Sequence, residues 1–518
     1  MDSKKTKEDK EYLLEVVAGD FNSPLFRNYI FVKGFPQYPE LFNIPAPLAY
    51  MASRNNIIEY LLNLKSWFNA HEKIKEQVMR DYHRVEEIID LTNRIGEEFN
   101  AWSERDIKNA DLTRLSNKKL AELLDKFIEK QAKMYAYGSI LPILDFGNFS
   151  FVESNLSEIL KNKLPEKEYR EAYRVFTEPS KNSFSQDQDE SLLILMDRYY
   201  NESWFNSLKD ISIQDLKVRY PAFYKDLQKH TEMHGWVYYT YSGPAFTQNN
   251  FLDFIKENIK KGINPSKKLN EIKNKKENDK KLIENYIKKI KPNEFEEFIL
   301  NLAGKVVWAK PRRKDYQSKS YYHSEKLLNE IGRRIYLTLD QVRSCPPEML
   351  KEALLKGKEL DVNHISSLKK FHICLFNKGK VDILEGKKAL EFYEKNVKKH
   401  EELDVNSDIK QLQGSVACAG LAKGHVKIIN TPQEMSKMNE GDVLVSIATT
   451  PSIVPVMKKA CAIITDEGGL TCHAAIVSRE LGTPCVVGLK IATRAFKDGD
   501  LIEVDANTGI VRKIENVN

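Results

Sequence analysis

The feature that most constrains this chain is a change of hydrophobic period near residue 400. Beyond it come short β-type runs punctuated by glycine: Gly424-His-Val-Lys-Ile-Ile, Asp442-Val-Leu-Val-Ser, Ala462-Ile-Ile-Thr, Cys485-Val-Val-Gly and Leu501-Ile-Glu-Val. Asn507-Thr-Gly509 supplies a turn before a last strand, Ile510-Val-Arg, and a helix is expected between Ala474 and Leu481. The polar stretch 399–411 reads as a linker, so residues 412–518 are expected to form a strand-rich domain of their own.

Before that boundary the period is helical. Ser116 offers a cap, and Leu120, Leu123, Leu124, Phe127 and Ile128 follow at three-and-four spacing. A second helix runs through Leu282, Ile283, Tyr286, Ile287 and Ile290 and stops before Pro292. A third carries Leu327, Leu328, Ile331 and Ile335. Strand-like alternation is scarce, with short pieces expected only near 236–241 and 370–384, and residues 1–10 form a charged tail. The expected fold class is therefore multidomain α+β, with a mainly helical region over 11–398 preceding the C-terminal domain.

A chain of 518 residues is too long for one core. Its 80 basic and 74 acidic residues are interspersed, so the net charge of +6 is no argument for nucleic acid. The lysine-dense segment 256–291 reads as a solvated helix face, because acidic residues interrupt it and its aromatics form no stacking platform. Six scattered cysteines without a Cys-x-x-Cys pair suggest neither a disulfide framework nor a metal site. With no signal peptide and no apolar run long enough for a bilayer, the expected setting is the cytoplasm, with no membrane partner.

The chemistry concentrates in Gly468-Gly-Leu-Thr-Cys-His-Ala-Ala-Ile-Val-Ser-Arg479. Gly468 and Gly469 allow a tight turn and the close approach of a bulky group. His473 falls where a helix begins, where open amide N–H groups and the dipole favour an anion. A neutral imidazole is a competent nucleophile towards phosphorus near pH 7. Thr471 stands two residues earlier, able to hydrogen-bond a phosphate or orient the ring. Cys472 reads as a small packing residue, His425 as a strand-surface residue, and Arg479 either as a phosphate contact or as an exposed helix charge.

All twelve positions of this segment resemble the active-site signature of the mobile, swivelling phosphohistidine domain of the phosphoenolpyruvate-utilising enzymes, the family of phosphoenolpyruvate synthase, pyruvate phosphate dikinase and rifampicin phosphotransferase. The flanks agree: Gly420-Leu-Ala-Lys-Gly-His-Val, Gly441-Asp-Val-Leu-Val, Thr449-Thr-Pro451, Leu481-Gly-Thr-Pro-Cys-Val-Val-Gly488 and Asp498-Gly-Asp-Leu-Ile-Glu-Val-Asp505 look like the family's usual run. The resemblance implies a β/β/α swivelling domain in which His473 is the phosphorylated residue.

Asp111-Leu-Thr-Arg-Leu-Ser, His234-Gly-Trp-Val and Arg312-Arg-Lys-Asp-Tyr resemble stretches of the helical region that precedes the mobile domain in phosphoenolpyruvate-synthase-like proteins. In rifampicin phosphotransferase an ATP-grasp domain comes first, then a helical substrate domain, then the mobile domain; this chain resembles the last two. The glycine-rich loop of an ATP-grasp site is not seen, nor a barrel after the last strand. The resemblance thus implies a transferase of phosphoryl groups charged by a separate ATP-grasp subunit, as in phenylphosphate synthase, with ATP and Mg2+ at that partner and no metal motif here. The acceptor is expected to be a small hydroxyl or enol compound held by the helical region. Arg312, Arg313 and Trp236 are the named candidates there, with Arg333 and Arg334 as further arginines. Trp236, Tyr238, Tyr239, Tyr241 and Phe246 line a pocket on one reading and pack a core on the other. The competing function is a non-catalytic phosphocarrier or regulatory binding protein switched by phosphorylation of His473.

Overall fold

The computed structural model describes residues 14–145, 150–398, 411–450, 453–469 and 472–514. The expected tail at 1–10, the linker up to residue 410 and Thr471 lie outside them; Gln411, placed in that linker, opens a strand. The chain divides into two units: residues 1–80, 102–143 and 324–518 form the first, and residues 81–101 and 144–323 the second.

The first unit holds two sheets. One joins β1 (Leu14–Asn22), β2 (Ala49–Arg54), β3 (Ile57–Leu62), β4 (Phe371–Asn377), β5 (Lys380–Glu385) and β6 (Val397–Lys398) in the order β5-β4-β2-β3-β1-β6. β4 and β5 confirm the strands expected near 370–384, whereas β1, β2 and β3 correct the reading of 11–398 as nearly free of strands. The missed signal is local. Arg54 pairs with Ile57 across Asn55 and Asn56, whose φ values are 51° and 67°. That is the two-residue, positive-φ turn a twisted hairpin needs, and asparagine tolerates it. Buried Leu14, Ala52, Leu61, Ile373, Ala389 and Tyr393 form the core on this sheet.

The second sheet lies entirely after residue 410. It comprises β7 (Gln411–Gln413), β8 (Ser415–Cys418), β9 (Leu421–Ile428), β10 (Val443–Ser446), β11 (Ala462–Thr465), β12 (Cys485–Val487), β13 (Leu501–Asp505) and β14 (Ile510–Lys513), ordered β7-β14-β13-β9-β10-β11-β12-β8. The centre β9-β10-β11-β12 is parallel, with Val443 beside both Val426 and Ala462 and Ile463 beside Cys485. Every residue of β10, β11 and β12 is buried, as strands covered on both faces must be. Val426, Val445, Ile464, Val486, Phe496 and Ile502 share one core, each contributing about 1.5–3 kcal/mol through burial. The helix His473–Leu481 makes the crossover from β11 to β12, and buries Ala474, Ala475, Val477 and Ser478.

The helices anticipated in the first unit are present. Ser116 caps Asn117–Gly138, its side chain accepting from the Lys119 N–H. The third expected helix is the end of a 41-residue helix, Glu294–Arg334.

Every regular element among the second unit's described residues is a helix or a helical turn. Pro265–Ile290 stops before Pro292, buries Tyr286 and Ile290, and pairs Lys275 with Glu178 and Lys289 with Glu168. Its lysines are thus the solvated face that the interrupted charge run suggested. One expectation fails: 236–241 is no strand. Gly235–Tyr238 is a 3-10 turn continuing the helix Pro221–His234, and Tyr238 stacks on Phe246 at 4.2 Å. Aromatic content mimicked a β pattern where the rings pack around a tight turn.

Candidate functional site

Two loops meet where the parallel strands end. β10 stops at Ser446 and β11 at Thr465, so the segments after them leave the same edge of the sheet. They are laced together: the Asp466 N–H donates to the Ser446 carbonyl (3.0 Å) and the Glu467 N–H to that of Ile447 (2.9 Å). Asn430, beyond β9, fixes the first loop by accepting the Ile447 N–H at 2.8 Å. This lacing carries Thr449 to the histidine, its Oγ1 lying 2.8 Å from Nδ1 of His473.

His473 is the first residue of its helix. Cys472 precedes it in an extended conformation (φ −74°, ψ 167°) and offers no side-chain cap, and no acidic residue stands in the first turn. The positive end of the helix is therefore not offset by its own side chains. The turn into the helix is tight, the Cys472 N–H donating to the Gly469 carbonyl at 3.0 Å. Gly468 has φ 113°, and a Cβ there would lie 2.7 Å from Cys472 Sγ, so glycine is required on both counts. Behind the turn, burial raises the Asp466 carboxyl above its ordinary range while it accepts the Thr493 N–H at 3.1 Å. This contact ties the strand end to the following helix Ala492–Ala495.

Arg479 is not an exposed helix charge. It is half-buried, and its Nε donates to the Ala417 carbonyl on β8 at 2.9 Å, tying the helix to the sheet edge. His425 is exposed on β9. Thr449 and Asn430 are the functional neighbours that sequence reasoning missed, although Thr449-Thr-Pro had stood out as a motif.

In the second unit, Trp236 is buried, donates Nε1–H to the Met233 carbonyl, and packs edge-on against Phe184 at 4.9 Å. Arg312 sits over the same Phe184 ring, its Cζ 3.5 Å from the centroid, so two of the named candidates share one aromatic neighbour. Arg313 is half-buried on that helix, and Tyr238, Tyr239 and Tyr241 are core residues. In the first unit, both Arg333 and Arg334 bind Glu330 at 2.7–2.9 Å and hold its carboxyl down at about 2. Arg334 also donates to the Leu115 carbonyl at 2.7 Å, so its donors serve the fold.

Among the described residues no cluster of three or more His, Cys, Asp or Glu side chains is arranged to hold a metal ion. No helix among them is long and apolar enough to cross a membrane.

Comparison with known proteins matches residues 438–509 to the family model of the PEP-utilising enzyme mobile domain. A probable phosphoenolpyruvate synthase of Archaeoglobus fulgidus is 42% identical over 175 residues, which is 32% of this chain and 23% of that protein. One from Methanothermobacter thermautotrophicus is 53% identical over 111 residues, covering 21% and 16%. The phosphoenolpyruvate synthase of Escherichia coli is 48% identical over 103 residues, covering 19% and 13%. The chain thus spans less than a quarter of the length of each of these relatives. Residues 438–509, which take in the laced loops and the helix that begins at His473, are similar to the PEP-utilising enzyme mobile domain.

Proposed function

We propose that this chain is a phosphotransferase component in which His473 takes up a phosphoryl group and passes it to a small hydroxyl or enol acceptor. The observation that carries this reading is the 2.8 Å contact between Thr449 and His473 Nδ1, at an uncapped helix start. A proton on Nδ1 donated to the Thr449 hydroxyl leaves the lone pair of the neutral ring on Nε2. Nε2 then attacks phosphorus: an N–P bond forms and the P–O bond to the departing donor breaks. The first-turn amides and helix dipole offset the charge of the bound phosphoryl group.

On this reading the donor is ATP with Mg2+, held by a separate ATP-grasp subunit in the cytoplasm, and the acceptor is held by the helical region. Kinship with phosphoenolpyruvate synthases supports phosphoryl transfer as the reaction class. The matched stretch is less than a quarter of each relative, so the acceptor is not inferred from their names. The test is incubation with labelled ATP, Mg2+ and the candidate partner, followed by assay for an acid-labile, base-stable phosphate. Label is expected on the native chain and lost in His473→Ala; undiminished label in that variant would refute the carrier role.

A further inference from the structure

One side chain stitches three strand ends together. Asn430 stands two residues past the end of β9, and its Oδ1 accepts both the Ile447 N–H (2.8 Å) and the Ser446 hydroxyl (3.0 Å). Ser446 closes β10 and Ile447 opens the loop after it. The carbonyls of the same two residues accept the N–H groups of Asp466 and Glu467, just past β11. The Ser446 hydroxyl also reaches the Ala448 carbonyl at 3.0 Å, so the turn leading to Thr449 is pinned at three successive residues. Ser446 is fully buried, and water cannot stand in for a partner lost there.

Asn430 is itself held on both sides. Its backbone N–H donates to Glu434 Oε2 at 2.9 Å, the carboxylate that also closes the capping box on Thr431. The preceding Ile429 N–H donates to the Val445 carbonyl at 3.0 Å. The amide carbonyl is thus fixed before it meets the β10 loop.

That loop delivers Thr449 Oγ1 to His473 Nδ1. Either sense of this hydrogen bond takes Nδ1 out of the chemistry. A donating hydroxyl occupies the Nδ1 lone pair, and an accepting one requires a proton on Nδ1. Phosphorus can then bond only to Nε2, whereas an imidazole without such a neighbour offers either nitrogen.

We propose that Asn430 is the positioning residue that confines phosphorylation of His473 to Nε2, acting through the turn from Ser446 to Thr449. This rests on His473 being the carrier. Loss of the amide carbonyl strands the Ser446 hydroxyl and the Ile447 N–H, the turn loosens, and Thr449 no longer covers Nδ1 at all times.

Phosphoramidate tests this on the full-length chain, because a small donor that docks on no partner leaves the choice of nitrogen to the carrier. An N–P bond to the ring forms, the P–N bond of the ammonio form of the donor breaks, and neutral ammonia leaves. The two phosphohistidine isomers are measured by 31P NMR and isomer-specific antibodies, with His473→Ala as the blank for the other histidines. The native chain should carry the Nε2 isomer alone. Asn430→Ala should give both isomers and slow Nε2 labelling about tenfold, whereas Asn430→Asp, which keeps the accepting oxygen, should restore the single isomer. Thr449→Val should also mix the isomers, and adding Asn430→Ala to it should shift the ratio no further, since both act through one contact. A merely weakened fold lowers the labelled fraction without moving the isomer ratio of the folded chain.

A single isomer in Asn430→Ala, or a further shift in the double variant, would overturn the proposal. Should Asn430→Ala fail to fold, Ser446→Ala removes one of the two bonds and should mix the isomers to a smaller extent; a single isomer there overturns it equally. If the native chain takes no phosphate at His473, the carrier reading fails, and 15N NMR still decides the positioning. The Nδ1 resonance of His473 should then move in Asn430→Ala, and an unmoved one refutes the role of Asn430.

Discussion

Thr449 approaches His473 from a different strand end, its hydroxyl 2.8 Å from Nδ1, so one nitrogen of the ring is engaged by a residue 24 positions away. Replacing Thr449 by Val keeps the shape of the side chain and removes the hydroxyl. Phosphorylation of His473 should slow about 10–100-fold, since a misplaced ring proton puts the wrong nitrogen in the attacking position. Thr449→Ser should recover most of the rate. Thermal unfolding should change little in either variant; initial rates of label incorporation make the measurement, and a Val variant as fast as the native chain contradicts the assignment.

Gly468 permits the turn that delivers His473 to its helix start. Gly468→Ala imposes a side chain at φ 113° and sets a Cβ 2.7 Å from Cys472 Sγ. The combined strain should cost about 1–3 kcal/mol. Because the clash falls on the residue just before His473, labelling should drop further than stability does. Parallel denaturant titration and labelling measure the two losses on one protein preparation.

The histidine was legible in the chain because its surroundings are local: paired glycines, a helix start and small residues for close packing all lie within Gly468–Arg479. Thr449 and Asn430 were not, because parallel pairing of β9, β10 and β11 brings Thr449 to the histidine and Asn430 to the loop that carries Thr449, and no spacing rule encodes that register. The same limit hid β1, whose partners β3 and β6 lie far along the chain. Arg333 and Arg334 looked like anion ligands until Glu330 was seen to hold them both.

His230 and His234 give the second unit a pH dependence. Their rings are 4.7 Å apart on one helix face, and Ser191 Oγ lies 3.1 Å from His230 Nδ1. Burial, with His234 adding to it, pushes His230 down to about 3 from an ordinary 6.5. Both imidazoles are neutral in the fold, whereas the unfolded chain protonates them below 6.5, so acid favours unfolding. The contribution of His230 is complete above pH 6.5 and is lost progressively as pH falls towards about 3, with His234 acting in the same direction. His230 alone should account for about 2–3 kcal/mol by pH 4.5. His230→Gln should flatten the slope of stability against pH over that range; an unchanged slope in urea melts would exclude His230 as its source.

Arg334 should behave as a structural residue. Its guanidinium joins Glu330 at 2.7 Å and donates to the carbonyls of Leu115 (2.7 Å), Thr113 (3.1 Å) and Leu112 (3.2 Å), at the end of the 3-10 turn Leu112–Arg114. Arg334→Ala leaves these carbonyls and a largely buried carboxylate without that donor, a loss of about 2–4 kcal/mol. Arg334→Lys should recover little, because an ammonium cannot span Glu330 and three carbonyls from one fork. Neither variant should alter the labelling rate of the folded fraction. Calorimetric melting and initial labelling rates, run on both variants, separate an arginine that closes a turn from one that meets the phosphoryl group, and slowed labelling of the folded fraction would contradict the structural role.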